Sequence, residues 1–469
     1  MSSLKFGTSG LRGLVTELTD EVCFAYSAAF LQHLLANGLA GNSTVLFGQD
    51  LRDSSPRIAK ACMTAADALG MKIENCGALP TPALALRAMM LKVPAIMVTG
   101  SHIPADRNGL KFYRPDGEID KADEAEINRR VASGEQSSPL SGGEKATHPD
   151  AVEAYLARCR SILVGNSLIG KRIGVYQHSS VARDLIVQIL SALGGEAIVL
   201  ARSDEFVPVD TEALRSEDLA LAKAVVPEHG LDALISTDGD ADRPMLFDEK
   251  GQFVRGDLLG ILAAKFLGAD AVVTPVTSSS AIEQSGLFKT VVRTKVGSPF
   301  VIAGMEEAKR AGGRIVVGFE ANGGVLLGSD VSVAGGKLAA LPTRDSMLPM
   351  LSVLGLGLKE GKTVSEMVGS LPARFAASGR LEHVGPEKTG PFLGKLQDET
   401  FQAAYFANQG VISAVDQIDG IRFAFNSGDT VHYRASGNAP ELRCYAETGD
   451  AKRSADLLAW GLAAAAAAL

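Results

Sequence analysis

Short apolar runs alternate with longer segments of helical period along most of the chain, the pattern of βαβ units. Thr44–Phe47, Met71–Asn75 and Ala95–Val98 read as strands, with helices at Glu21–Ala36, Pro56–Leu69 and Pro82–Leu91. The charged segment Asp120–Arg130 predicts another helix, and Ser133–Gly143, rich in Ser and Gly, is the best linker candidate. The pattern then restarts. Arg172–Tyr176, Ala197–Leu200 and Ala233–Ser236 predict strands around helices at Val181–Leu193 and Ser216–His229. A third round places strands at Ala271–Pro275, Thr290–Arg293 and Arg314–Val317, with helices at Asp257–Phe266, Ser279–Gln284 and Pro299–Arg310. Each round ends in a strand that runs into a polar, glycine-bearing loop, which reads as a structural repeat despite low identity between the copies.

The tail from about residue 370 is different. Gly420–Phe425, the turn signal Asn426–Asp429 and Thr430–Tyr433 predict antiparallel strands, followed by a helix at Ala451–Ala467. The expected fold is therefore α/β with four domains around a central cleft. Three sequential α/β units with mixed, mostly parallel sheets (1–145, 146–250 and 251–368) precede a C-terminal α+β domain (369–469).

Composition narrows the function. A net charge of −8 leaves no excess of Lys or Arg for phosphate backbones, which argues against a nucleic-acid binder. The five scattered cysteines form no CxxC and suit a reducing, cytoplasmic setting. No basic-then-apolar leader opens the chain, and the apolar run Leu457–Leu469 is too short to span a bilayer.

Candidate chemistry gathers in the loops after the strands. Ser101, His102 and Lys111 follow Ala95–Val98 in a stretch constrained by Pro104, Asn108 and Gly109, where open α/β sheets bind ligands. A serine in that place is also a common turn or cap residue, and His102 is equally suited to acid–base work or to holding the loop. Asp238, Asp240 and Asp242, spaced i, i+2, i+4 after a strand, turn alternate carboxylates to one side and suit a hard cation. A Ca²⁺ loop of the helix-loop-helix kind is disfavoured, because Arg243 and Pro244 stand where its glycine turn belongs; Mg²⁺ is preferred. Arg434, Ser436, Gly437, Asn438 and Arg443 combine guanidiniums with a possible anion nest, although a surface turn with solvated arginines fits as well. Lys295 lies in a strand-to-helix turn, and Glu320 with Asn322 offers an acceptor and an amide to sugar hydroxyls or to a capped turn. Together these sites suit phosphoryl transfer on a sugar phosphate.

Four stretches carry a resemblance to the α-D-phosphohexomutase superfamily over essentially the full length: GTSGLRG at 7–13, TGSHIPADRNGLKF at 99–112, DGDADR at 238–243 and RASGNAPELR at 434–443. The resemblance implies that Ser101 is the phosphorylated serine. It implies one Mg²⁺ per chain, held by Ser101, Asp238, Asp240 and Asp242. Arg12, His102, Lys111 and Arg243 become active-site residues, with His102 or Lys111 helping proton transfer. Lys295, Glu320 and Asn322 would meet the sugar, and Arg434, Ser436, Gly437, Asn438 and Arg443 the non-reacting phosphate. The implied reaction exchanges the 1- and 6-phosphates of a hexose through a phosphoserine enzyme and a hexose 1,6-bisphosphate. A monomer or homodimer acting on small hexose phosphates, away from membranes, is expected. Three departures bear on the sugar: Gly100 and Ile103 where the common loop reads TASHNP, Asn322 where GExSG has Ser, and Asn438-Ala439 where Thr-Glu is usual. The GFEANGG and TGSHIP variants are most similar to bacterial phosphomannomutases, which puts mannose first, glucose second and glucosamine third. A Mg²⁺-dependent phosphatase and a non-catalytic sensor are the competing readings.

Overall fold

The structure, a computed structural model, describes residues 3–7, 10–40, 43–134, 148–436 and 440–469. The expected linker therefore lies, from residue 135 on, outside the described residues, as do Gly437 and Asn438.

The most continuous apolar runs form interior strands of the sheets, while Lys72–Ala78, Glu196–Arg202 and Thr290–Thr294 lie at edges. In the first sheet Ala95–Val98, Thr44–Gln49 and Lys72–Ala78 pair in parallel, and all four residues of Ala95–Val98 are buried. The helices Ser55–Ala68 and Thr81–Leu91 connect these strands as crossovers, each with proline in its first turn, where a missing N–H leaves no bond unmade. Next to Ala95–Val98 runs an antiparallel strand the sequence reading took for loop, Arg107–Arg114. Beyond it come Gly10–Leu14 and Lys5–Gly7, so the glycine-rich opening is a pair of strands. The second sheet has the order Phe253–Val254, Pro244–Phe247, Ala233–Thr237, Arg172–His178, Glu196–Arg202, and the third Thr290–Thr294, Ala271–Pro275, Val316–Phe319, Val325–Leu327, Leu341–Asp345.

Two corrections follow. The sheets are mixed, but parallel pairs are not the majority: in the second and third sheets two pairings are parallel and two antiparallel. Parallel strands, buried on both faces, read as continuous apolar runs, whereas the antiparallel returns are short or carry polar residues and so escape notice. The second sheet also passes the division expected at residue 250. A hairpin, with Gly251 N donating to Asp248 O, returns Phe253–Val254 onto Pro244–Phe247.

The tail forms an antiparallel five-stranded sheet, Phe375–Glu382, Glu441–Thr448, Thr430–Ala435, Ile421–Phe425, Ile412–Asp416, covered by the helix Ala451–Ala468. One buried apolar cluster runs through the first three units, from Leu84 and Met97 through Ile173 and Leu246 to Val317 and Met350. The fourth unit has a core of its own around Phe392, Phe423, Tyr433 and Leu457. The loops of interest thus sit on a fused three-unit base faced by a separately packed fourth unit.

Candidate active site

The chain leaves Ala95–Val98 through Thr99 and Gly100 into Ser101, whose φ of 54° lies in the left-handed region that non-glycine residues avoid. The conformation is held from both sides: Ser101 N donates to Thr99 Oγ1 at 2.8 Å, and the Ser101 carbonyl accepts from Arg52 at 3.0 Å. It aims the Ser101 hydroxyl across the unit boundary, where Oγ donates to Asp238 Oδ2 at 2.6 Å. His102 Nδ1 lies 3.2 Å from the same Oγ.

The second unit supplies the carboxylates. Ala233–Thr237 ends in a tight turn in which Ala241 also adopts a positive φ, 59°, and candidate ligand atoms of Asp238, Asp240 and Asp242 lie within 4.8 Å of one another. Gly239 makes room for the neighbouring loop, since a Cβ there would lie 2.8 Å from the Ser101 carbonyl. All three side chains are buried, and like charges so close repel. Burial, then Asp240 and Asp242, push the Asp238 carboxyl well above the usual carboxylate range. Asp242 moves the other way: burial opposes its ionisation, but Arg344, Lys111 and Arg243 outweigh it and hold the carboxyl low.

The compensating groups come from other units. Lys111, on Arg107–Arg114, places Nζ 2.6 Å from both Asp240 Oδ2 and Asp242 Oδ2; burial works against its charge, but the two aspartates outweigh it and raise its pKa. Thr81, at the start of its helix, donates its hydroxyl to Asp240 Oδ2 at 2.6 Å and its N–H to the Asp240 carbonyl at 2.9 Å. Arg344, on the third unit's strand Leu341–Asp345, donates Nε and Nη2 to Asp242 Oδ2 at 3.0 and 2.8 Å, and Nη1 to Glu320 Oε1 at 3.2 Å. The sequence reading missed Arg344. Its signal was a charged pair, Arg344-Asp345, in a polar strand of unremarked period.

The residues fit a divalent ion. Three hard carboxylates converge, and Asp240 Oδ1 and Asp242 Oδ1 are buried without a hydrogen-bond partner. Those are the oxygens a cation would satisfy.

Above this floor opens a cavity of about 420 Å³ bordered by Arg12, His102, Arg243, Glu320, Asn322, Arg434, Ser436 and Arg443, with Asp210, Glu212, Arg380 and Tyr445 among the added lining. Arg12 stands on Gly10–Leu14; burial, then Arg243, lower its guanidinium to about 10. His102 is held well below its ordinary value by burial, then by Arg243 and Arg12, so its imidazole is neutral at pH 7. Glu320 lies in the turn after Val316–Phe319. Asn322 beside it borders the cavity and also braces that turn, donating Nδ2 to Glu320 Oε2 at 3.1 Å and accepting Gly324 N at 2.9 Å. Arg434 is 2.6 Å from Asp419 Oδ2, and Arg443 stands on the adjacent strand with its side chain about a third exposed. Lys295 is the residue the structure does not bring in: it is exposed, 5.9 Å over the Phe300 ring, while its neighbour Val296 borders the cavity.

Comparison with known proteins agrees with this arrangement. Three consecutive stretches match the phosphoglucomutase/phosphomannomutase alpha/beta/alpha domains: domain I over residues 3–138, domain II over 153–251 and domain III over 255–375. The chain is 45% identical over 465 residues to a phosphomannomutase of Sinorhizobium fredii, covering 98% of each. It is 46% identical over 449 residues to a phosphomannomutase of Salmonella muenchen, covering 95% of this chain and 92% of the relative. A phosphoglucosamine mutase of Symbiobacterium thermophilum is 30% identical over 464 residues, covering 95% of each. Among solved structures, a phosphoglucomutase/phosphomannomutase family protein of Burkholderia thailandensis superposes with a TM-score of 0.76 at 19% identity, covering 98% of this chain and 97% of that one. An N-acetylphosphoglucosamine mutase of Aspergillus fumigatus, in complex with GlcNAc-6P and magnesium, gives 0.57 at 14% identity, covering 99% and 96%.

Proposed function

The chain belongs to the phosphoglucomutase/phosphomannomutase family of the α-D-phosphohexomutase superfamily, and we propose that it interconverts mannose 6-phosphate and mannose 1-phosphate through a phosphorylated Ser101. The observation that carries the proposal is the buried 2.6 Å contact between Ser101 Oγ and Asp238, next to His102, which borders the cavity. It joins a hydroxyl of the first unit to a carboxylate cluster of the second.

In this reading the sugar phosphate enters with its non-reacting phosphate against Arg434, Ser436 and Arg443 and its hydroxyls toward Glu320. Gly437 and Asn438 complete the proposed phosphate contacts. A sugar hydroxyl attacks the phosphoserine: the new P–O bond to the sugar forms as the bond to Ser101 Oγ breaks. The hydroxyl proton passes to a base, for which the neutral His102 imidazole beside Oγ is suited, and the imidazolium so formed gives it to the departing Ser101 Oγ, leaving a free serine hydroxyl. Lys111, tied to two aspartates, stays an ammonium and serves the developing charge together with Arg12 and Arg243. Mg²⁺ held by Asp238, Asp240, Asp242 and the phosphorylated Ser101 would offset charge on the moving phosphoryl group. The bisphosphate so formed turns over within the cleft and returns its other phosphoryl to Ser101, which makes hexose 1,6-bisphosphate both intermediate and activator.

Mannose is favoured because relatives at 45% and 46% identity are phosphomannomutases, whereas the phosphoglucosamine mutase relative stands at 30%. Units bounded at 1–145, 146–254, 255–368 and 369–469, with a monomeric or homodimeric state in the cytoplasm, belong to the same proposal. The five buried, unpaired cysteines support a reducing compartment.

The test is direct. Mannose 1-phosphate is incubated with Mg²⁺ and catalytic hexose 1,6-bisphosphate while mannose 6-phosphate and free phosphate are followed. Isomer without free phosphate supports the mutase; free phosphate alone means a hydrolase; neither product means a binding protein. Parallel kinetics on glucose and glucosamine phosphates rank the sugars.

A further inference from the structure

Arg52 lies outside every loop singled out by the sequence, in the turn after Thr44–Gln49, and is 2% exposed. Its Nε donates to Asp50 Oδ2 at 3.2 Å. Nη1 donates to the carbonyls of Pro104 and Arg107 at 2.7 and 3.0 Å, and Nη2 to those of Ser101 and Ile103 at 3.0 and 2.5 Å. The guanidinium therefore uses all five of its N–H donors, four of them on the one loop that carries the Ser101 hydroxyl. Asp50 closes the circuit. It accepts from Thr99 Oγ1 at 2.7 Å, and Thr99 Oγ1 accepts Ser101 N at 2.8 Å. Both the amide and the carbonyl of Ser101 are thus fixed by the Asp50–Arg52 pair, in a backbone conformation that an L-residue adopts only when its surroundings impose it.

The second unit completes the clamp. The Phe206 ring stacks on the guanidinium at 3.9 Å, and a Cβ on Gly239 would meet both that ring, at 3.0 Å, and the Ser101 carbonyl. Gly100 completes the first unit's side. A Cβ there would lie 2.7 Å from Arg52 Cζ and 2.8 Å from Nε and Nη2. The end of a long side chain usually swings clear of such a contact, but this one is held by five hydrogen bonds and a ring.

We propose that Arg52 is the positioning residue that holds Ser101 in its transfer-competent, left-handed conformation, with its guanidinium lying directly beneath Gly100 in this chain. The proposal rests on the reading of Ser101 as the group that carries the phosphoryl. Arg52 touches neither substrate nor the transferred group; it acts by fixing where Oγ points.

The experiment is a double-variant cycle with Gly100→Ala and Arg52→Lys, read by single-turnover transfer from the phosphorylated enzyme to saturating sugar phosphate, alongside KM and the melting temperature. Gly100→Ala is expected to slow transfer roughly 100-fold, the effect of an ångström-scale misplacement, with KM and melting temperature near those of the parent. Arg52→Lys, which offers three donors for five carbonyl or carboxylate partners, is expected to slow transfer similarly. The double variant should be no slower than Arg52→Lys alone, because the thinner ammonium no longer meets the new methyl. A Gly100→Ala enzyme that transfers at the parent rate, or losses that multiply in the double variant, would overturn the assignment. Should Arg52→Lys not fold, Phe206→Leu replaces it in the cycle, with the same criterion of non-additive losses. Ser101→Ala is run beside them: if it still turns over, the reading of Ser101 itself fails, whereas an inactive Ser101→Ala beside a full-rate Gly100→Ala defeats only the role given to Arg52.

Discussion

Arg344→Met offers the sharpest check on the electrostatics of the floor. Arg344 is 3% exposed and meets Asp242 through two N–H groups and Glu320 through a third. Methionine matches the length of the stem and removes the charge. Removing one partner of a buried ion pair costs about 3–5 kcal/mol, because the other is left uncompensated. Here Lys111 remains 2.6 Å from Asp242, so the lower end, about 3 kcal/mol, is expected for the metal-free protein. With Mg²⁺ present the stranded carboxylate gains a new counter-charge, and only the lost hydrogen bonds remain, about 1.5 kcal/mol. For units of this size 1 kcal/mol moves the melting temperature by roughly 2–4 °C, so the variant should melt about 6–12 °C below the parent in EDTA and about 3–6 °C below it in Mg²⁺. The same linkage makes the variant bind Mg²⁺ more tightly than the parent, measurable by titration calorimetry. Equal depressions in the two buffers, or no depression in EDTA, would refute the reasoning.

Ser101→Ala should melt as the parent does but lose nearly all isomerisation and take up no phosphate from hexose 1,6-bisphosphate; intact-protein mass spectrometry reads the latter. Arg443→Gln, which leaves the floor untouched, should raise KM for mannose phosphate about 10- to 100-fold, the worth of one charge-assisted phosphate contact, and steady-state kinetics check it. Burial pushes the imidazoles of His178 and His432 down to about 4, below the unfolded value near 6.5. Their contribution is therefore complete above pH 6.5 and is lost as pH falls from there toward 4, by about 2 kcal/mol each at pH 5. Melting curves between pH 7 and 5 should show His432→Gln losing less stability on acidification than the parent.

What the sequence made legible follows burial. Ala95–Val98, Ala233–Thr237 and Ala271–Pro275 lie in sheet centres with every residue buried, and their apolar runs announce them. Arg107–Arg114 was hidden because its polar residues serve the site: Asn108 and Lys111 are buried but hydrogen-bonded, so no apolar run marks the strand. The Asp238, Asp240, Asp242 cluster was readable because its spacing is local. Arg344 was not, since what makes it matter is a contact with a loop 102 positions away in the chain. Lys295 shows the converse: a place in a suggestive turn does not by itself bring a side chain to the cavity.

The acidic turn Asp238–Asp242 is chaperoned, in effect, by segments that flank it in the polypeptide. Lys111 and Thr81 precede it, while Arg344 and Ser346, which donates to the Ala241 carbonyl, come well after it. During synthesis the aspartates therefore emerge with only part of their escort. Arg344 and Ser346 reach the acidic turn only from the strand that ends the third sheet and the helix start that follows it. A chain truncated before Arg344 would lack both of these contacts, with Lys111 left as the hydrogen-bonded cation on Asp242.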